Sequence, residues 1–258
     1  MAKIATWNVN SVKARLPHLR DYLKLAQPDV LLLQEIKCTE DDFPRLEVES
    51  AGYHAVVVGQ KSYNGVAILA KEKPREIVKR LPEGDGDDHA RYVEATVGDV
   101  RVASIYLPNG NPIGTEKFTY KLAWMERLIA HARNLLKQEM PFVLGGDYNV
   151  CPTDADVFSP KAMKDDALVQ PETRATFRRL LHLGLTDAIS AFGPVARTYT
   201  YWDYQAGRWN RDEGLRIDHL LLSPLAADRF VKAGIDKSER AKERASDHTP
   251  VWCELAAA

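Results

Sequence analysis

Asn8 and Asn10 stand two residues apart, and so do Asp147 and Asn149. In extended backbone, residues i and i+2 share a face, so each pair aims two polar side chains one way. Gln34-Glu35 follows the apolar run 30–33, Tyr106 and Asn109 follow the run 100–105, and Asp218 lies within 215–222. Ser246-Asp247-His248 precedes the last apolar stretch. An apolar core gains nothing from such groups. Carboxylates and amides are hard oxygen donors, suited to Mg2+ or Mn2+ and poorly suited to zinc. A histidine beside an aspartate can donate to a phosphoryl oxygen, and Asn or Tyr can position a nucleophile or a phosphate. Each cluster alone has an ordinary explanation as a turn, a cap or a solvated edge. Their joint occurrence at the ends of apolar runs points to chemistry.

The elements that must position these residues follow from periodicity. Residues 3–8 alternate and read as a strand. Val12, Leu16, Leu19, Leu23 and Ala26 recur at helical spacing, which predicts a helix over 14–25. The continuous run 30–33 predicts a strand buried on both faces, so the first 35 residues form a βαβ unit. Strands follow at 54–58, 66–70, 91–97 and 100–106, with Asn64-Gly65 and Gly98-Asp99 as turns, an antiparallel pattern. Residues 115–138 predict the longest helix, 142–144 a second buried strand, and 173–183 a helix. Strands at 217–222, 231–235 and 250–255 close the chain. Residues 82–89 and 152–172 read as polar loops. The carboxyl ends of these strands carry the polar clusters, and ligand sites in α/β sheets gather there.

A chain of 258 residues with no linker-like tract suits a single catalytic domain over 1–258. No apolar run approaches the roughly 20 residues that span a bilayer, so no membrane association is expected. Cys38, Cys151 and Cys253 are odd in number and far apart, which excludes zinc spacing and implies a reduced, cytoplasmic setting. The net charge of −1 requires any nucleic-acid contact to be a local patch. Residues 1–37 carry six Lys and Arg against three acids, which puts that patch near Lys13, Arg15 and Lys37.

In their order along the chain, TWNVNSVKARL (6–16), PDVLLLQEIK (28–37), GVAIL (65–69), IYLPNGN (105–111), GGDYNVCPTD (145–154), TYTYWDY (198–204), GLRIDHLLLS (214–223) and SDHTPVW (246–252) resemble the exodeoxyribonuclease III family of apurinic/apyrimidinic (AP) endonucleases, within the endonuclease–exonuclease–phosphatase superfamily. The resemblance covers nearly the whole chain. It implies a deoxyribonuclease I-like four-layer α/β sandwich, with two mixed β-sheets face to face and helices outside. It further implies a magnesium-dependent nuclease, manganese being an alternative ion. Such an enzyme cuts double-stranded DNA 5′ to abasic sites and at 3′ ends, as a monomer.

By position, Glu35 resembles the principal metal carboxylate, aided by Asn8, Asn10 and Asp247. Asp147 resembles the residue that orients or deprotonates water, with Asn149 beside it. His248 resembles the phosphate-contacting histidine held by Asp218. Tyr106 resembles the tyrosine on the scissile phosphate, with Asn109 on the same loop and Lys37 next to Glu35. Tyr201, Leu215 and Ile217 resemble the lining of the slot for the baseless sugar. Many members have Asp in place of Asn10, and animal relatives have Trp in place of Leu215. The stretch 152–172 matches poorly. Two rival readings are a phosphatase of the same superfamily and a non-catalytic DNA-binding relative. The stretches YLPNG (106–110) and GLRIDHLLLS (214–223), which resemble the DNA-repair branch, oppose the first, and the filled catalytic positions oppose the second.

Overall fold

Two strands, β1 (Ala2–Asn8) and β2 (Val30–Gln34), lie parallel at the centre of one sheet and are joined by helix α1 (Leu16–Leu25). The other sheet repeats the arrangement with β7 (Val100–Tyr106) and β8 (Phe142–Asp147), joined by α3 (Glu116–Leu136). All other pairings are antiparallel, so both sheets are mixed. The first sheet also holds β3 (His54–Val58), β4 (Val66–Ala70), β11 (Phe230–Ile235) and β12 (Val251–Leu255), in the order β11-β12-β1-β2-β4-β3. The second also holds β5 (Arg75–Val78), β6 (Tyr92–Val97), β9 (Thr186–Asp187) and β10 (Asp218–Leu222), in the order β5-β6-β7-β8-β10-β9. The structure, a computed structural model, describes residues 1–84 and 86–257; Asp85 of the expected loop 82–89 lies outside them.

Strand alternation sets the layers. In β2, Leu32 points into a core shared by both sheets with Ile4, Val102, Val143, Leu220 and Val251. Leu31 and Leu33 point the other way, onto Leu19, Tyr22 and Leu23 of α1. In β7 and β8, Ala103, Ile105 and Leu144 face Trp124, Leu128 and Ile129 of α3, with Phe177 and Leu180 of α4 (Pro171–Leu181). The result is the expected four-layer sandwich. Burial of each such Leu, Ile or Val contributes roughly 1.5–3 kcal/mol.

The inter-sheet core turns polar toward one end. Buried Gln34 donates to Ser104 Oγ at 2.9 Å and Thr6 Oγ1 at 3.0 Å, linking the two sheets. Gly145 permits the close approach there, since a Cβ on it would stand 2.6 Å from both Leu32 and Leu220 side chains. A Cβ on Gly146 would stand 1.9 Å from the Ile105 carbonyl oxygen. The Gly-Gly pair therefore brings Asp147 to the sheet junction.

Periodicity underestimated the short elements. The helices α2 (Arg45–Ser50), α5 (Ala188–Phe192) and α6 (Pro224–Ala227) span less than two turns, and the edge strands β5 and β9 are short. The segment 152–172 is the expected loop over much of its length but has an apolar underside. Val157, Ala167 and Leu168 are buried with Leu215 and Ile217.

Candidate active site

The four central strands end together. Asn8 closes β1, Glu35 follows β2, Tyr106 closes β7 and Asp147 closes β8, with Asn8 paired to Gln34 and Tyr106 paired to Asp147 in register. Because the sheets face each other, these carboxyl ends meet across the sandwich. Asn8 Nδ2 bridges them, donating to Glu35 Oε1 at 2.8 Å and to Asp147 Oδ2 at 3.0 Å.

The connections beyond the strands are strained. Asn10, Glu35, Lys37 and Asn149 have φ of 44°, 49°, 54° and 48°. Asn adopts this region readily, whereas Glu and Lys there cost about 1–3 kcal/mol each. Backbone bonds offset that cost, from Ser11 N to Glu35 O at 2.8 Å and from Lys37 N to Asn64 O at 3.0 Å.

His248 stands between two aspartates. Its Nδ1 lies 2.8 Å from Asp218 Oδ2, which also accepts from Thr200 Oγ1 at 2.6 Å. Its Nε2 lies 3.7 Å from Asp147 Oδ2. Burial would lower the imidazole pKa, but Asp218 and Asp147 outweigh it and raise it to about 10. That environment favours the protonated imidazole, which has two N–H donors. Burial, with the charges of Asp218 and Glu35, pushes Asp147 upward against the opposing pull of His248 and the Asn149 N–H. Asp147 is thus a stronger base than an ordinary carboxylate near 3.9. Burial and the charges of Glu35 and Asp147 raise Tyr106 far above its usual range, so its phenol keeps the proton and can donate.

One ligand atom each of Glu35, Asp147 and His248 lies within 4.8 Å of the others. Of these groups the carboxylate oxygens, not the imidazole, suit a hard cation, and Glu35 is the one that the Lys37 ammonium already approaches. The Lys37 ammonium lies 2.9 Å from Glu35 Oε2 and 2.5 Å from Asn10 Oδ1, at a point where oxygen donors converge on positive charge. Burial opposes ionisation of Glu35, but Asn8 and Lys37 hold its pKa below the ordinary value. Asn10 Nδ2 donates to Asp247 Oδ1 at 3.1 Å. Asn8, expected as an oxygen ligand, turns its Nδ2 to the carboxylates, and its Oδ1 accepts the Asn10 N–H at 3.0 Å.

Residues 5–248 match the endonuclease/exonuclease/phosphatase family. Exodeoxyribonuclease III of Haemophilus influenzae is 34% identical over 98% of this chain and 99% of its own length. The chain belongs to the exodeoxyribonuclease III family. Among solved structures, an AP endonuclease from Archaeoglobus fulgidus superposes with a TM-score of 0.96 at 35% identity, covering both chains fully. The 3′ phosphatase NExo from Neisseria, bound to a product DNA hairpin, superposes with a TM-score of 0.97 at 39% identity, again over both full chains.

On this family frame the site opens into a cavity of about 390 Å3. Glu35, Tyr106, Asn109, Asp147, Asn149, Asp247 and His248 line it, together with Tyr201, Leu215 and Ile217. The Tyr201 and His248 rings lie 4.9 Å apart, and Tyr201 pairs with Leu215 through backbone bonds of 3.0 and 2.9 Å. Asn109 Nδ2 donates to Asn149 Oδ1 at 3.2 Å. Asp218 and Asn8, both buried outside this lining, bond to His248 and to Glu35 and Asp147, and Asn10 bonds to Asp247. Each cation of the expected basic patch has a partner, and the Lys13–Asp42 pair is an exposed one. Lys13 pairs with Asp42, Lys37 with Glu35, and Arg15 donates to Asn10 O and Tyr204 OH.

Sequence reasoning missed three contributors. Phe158, Met163 and Leu168 bring the segment 152–172 into the cavity wall. Thr200 holds Asp218. Lys121 is fully buried, and its ammonium donates to the carbonyls of Asn149 at 2.5 Å and Asn109 at 3.0 Å. Its signal was a lysine spaced three after Phe118 and four before Met125, on the buried stripe of α3.

Proposed function

We propose that this cavity hydrolyses DNA phosphodiester bonds 5′ to abasic sites and at 3′ ends by in-line attack of water. Family membership makes the chain a DNA-repair nuclease. The observation that carries the finer reading is the line Asp218–His248–Asp147, with Glu35 joined to Asp147 through Asn8. It sets a cationic donor beside a strengthened base at the mouth of a partly apolar slot.

Asp147 orients the attacking water and takes its proton, and its raised affinity for protons suits that task. His248, kept charged by Asp218, donates to a non-bridging oxygen as negative charge develops. Tyr106 and Asn149 add donors from the neighbouring strand ends. Asn109 steadies Asn149. Glu35, with Asp247 and Asn10 nearby, would hold magnesium, and Lys37 yields that position. When bound, the ion supplies charge neutralisation at the phosphate and leaving oxygens. Tyr201, Leu215 and Ile217 admit a baseless deoxyribose and exclude a nucleotide carrying its base.

The test is a 5′-labelled duplex with one abasic analogue beside the intact duplex, in magnesium and in EDTA. Cleavage 5′ to the analogue should need magnesium. Glu35→Gln should lower it by about 100-fold or more, as loss of a few kcal/mol of charge stabilisation requires. Near-normal cleavage by Glu35→Gln at low millimolar magnesium would reject the assignment.

A further inference from the structure

We propose that Arg208 receives a backbone phosphate next to the reacting one and so helps set substrate register; the proposal rests on the DNA-nuclease reading above. The cavity lining is strongly acidic, with Glu35, Asp147, Asp166, Asp203, Glu213 and Asp247 on its wall. A DNA strand is a polyanion, so such a wall needs cations to receive it. Arg208 is the only lysine or arginine among the described residues that line the cavity. His248, held by Asp218, is assigned above to the reacting phosphate, which leaves Arg208 for an adjacent one.

Arg208 is poised for this task. Its guanidinium lies over the Phe158 ring at 4.6 Å from the centroid, which fixes the plane of the fork. Phe158 N donates to Gly214 O at 3.1 Å, tying the two cavity-lining segments together. Only one guanidinium nitrogen of Arg208 is engaged among the described residues, NH1 with Glu213 Oε2 at 2.9 Å. The side chain is 33% exposed, so its free N–H groups can reach a ligand in the cavity.

The Glu213 contact is easily exchanged. Arg211 already grips Glu213 at both oxygens, Nε to Oε1 at 2.9 Å and NH2 to Oε2 at 2.8 Å. Turning Arg208 toward a phosphate therefore leaves Glu213 paired and strands no charge. Exposed ion pairs of this kind are worth little, whereas an arginine–phosphate fork is charge-assisted and directional. Arg211, 53% exposed and absent from the cavity lining, is the natural control.

The experiment measures anisotropy of a labelled duplex carrying an abasic analogue, in EDTA, over a range of salt. Arg208→Gln should reduce the slope of log K against log salt by about 0.9, the loss of one phosphate contact. Arg208→Lys should keep most of the slope, and Arg211→Gln should leave it unchanged. A neutral methylphosphonate, walked along the strand, should weaken wild-type binding at one position adjacent to the reacting phosphate and should not weaken Arg208→Gln further there. Equal slopes for wild type and Arg208→Gln, equal shifts for Arg208→Gln and Arg211→Gln, or the same methylphosphonate loss in both proteins would overturn the proposal. Wild-type magnesium-dependent cleavage, run alongside, separates that outcome from failure of the nuclease reading. If wild type cleaves and the slopes are equal, only the role of Arg208 falls.

Discussion

His248 Nδ1 sits 2.8 Å from Asp218 Oδ2, an aspartate with no exposed surface on the strand antiparallel to the one that carries Asp147. If Asp218 acts through His248, Asp218→Asn should lower kcat by roughly 100- to 10,000-fold. The double variant with His248→Asn should then be no slower than His248→Asn alone. Fully additive losses in kcat would make Asp218 a residue of its strand only. Stability gives a second readout. His248 is raised from 6.5 to about 10, so the pairing stabilises fully below 6.5 and its contribution fades as pH rises toward 10. The urea-melt difference between wild type and Asp218→Asn should shrink over that window.

Lys121 carries the opposite sign. Burial lowers its pKa from 10.5 to about 7, against the pull of Asp147 and Asp166. Between those values the unfolded chain binds the extra proton, so this group makes stability rise with pH. The Tm difference between wild type and Lys121→Met should move in favour of wild type from pH 7 to pH 10. Lys121→Met should also lower kcat more than it raises KM, because Asn109 and Asn149 lose a shared anchor. A pH-independent Tm difference would contradict a buried, titrating ammonium.

Tyr201 should discriminate between substrates. Its ring stands 4.9 Å from the His248 ring, and Leu215 and Ile217 flank it in the cavity wall. Tyr201→Ala should impair cleavage at an abasic site roughly tenfold more than release of a 3′-phosphate, which needs no flipped sugar. Equal losses in the two assays with a lowered Tm would assign Tyr201 to packing alone.

Arg216 is the buried link that holds the segment 152–172 to the second sheet. It donates to Asp156 Oδ1 and Asp187 Oδ2, both at 2.6 Å, and is 2% exposed. Arg216→Met leaves buried Asp156 without a cation and Asp187 with His219 alone, and should cost about 3–5 kcal/mol. Burial acts to raise Asp187, but Arg216 and then His219 hold it well below the carboxylate range. That stabilisation is present above the unfolded value near 3.9 and disappears as pH falls below it. Acid unfolding of Asp187→Asn should therefore show a weaker pH dependence than wild type, and identical acid transitions would contradict the pairing.

Much of this molecule was legible in one dimension. The runs 30–33 and 142–144, the helical stripes of α1 and α3, and the polar residues closing each strand are local patterns, and periodicity reads local patterns well. The family motifs supplied the site residues that line the cavity or orient it. The tertiary structure decided what depends on which faces meet. Asn8 bridges Glu35 and Asp147 only because two sheets distant in sequence end at the same place. Lys121 reads as a surface lysine until its stripe is buried over the Asn109 and Asn149 carbonyls. The segment 152–172 reads as polar because its few apolar residues are scattered, yet they fold together against Leu215 and Ile217. Lys13, Arg15 and Lys37 read as one basic patch, and only the fold turns Lys37 inward to Glu35 while Lys13 stays exposed beside Asp42. Apolar burial has no direction of its own, so composition and spacing state that a face will be covered, and only the packed chain states by what.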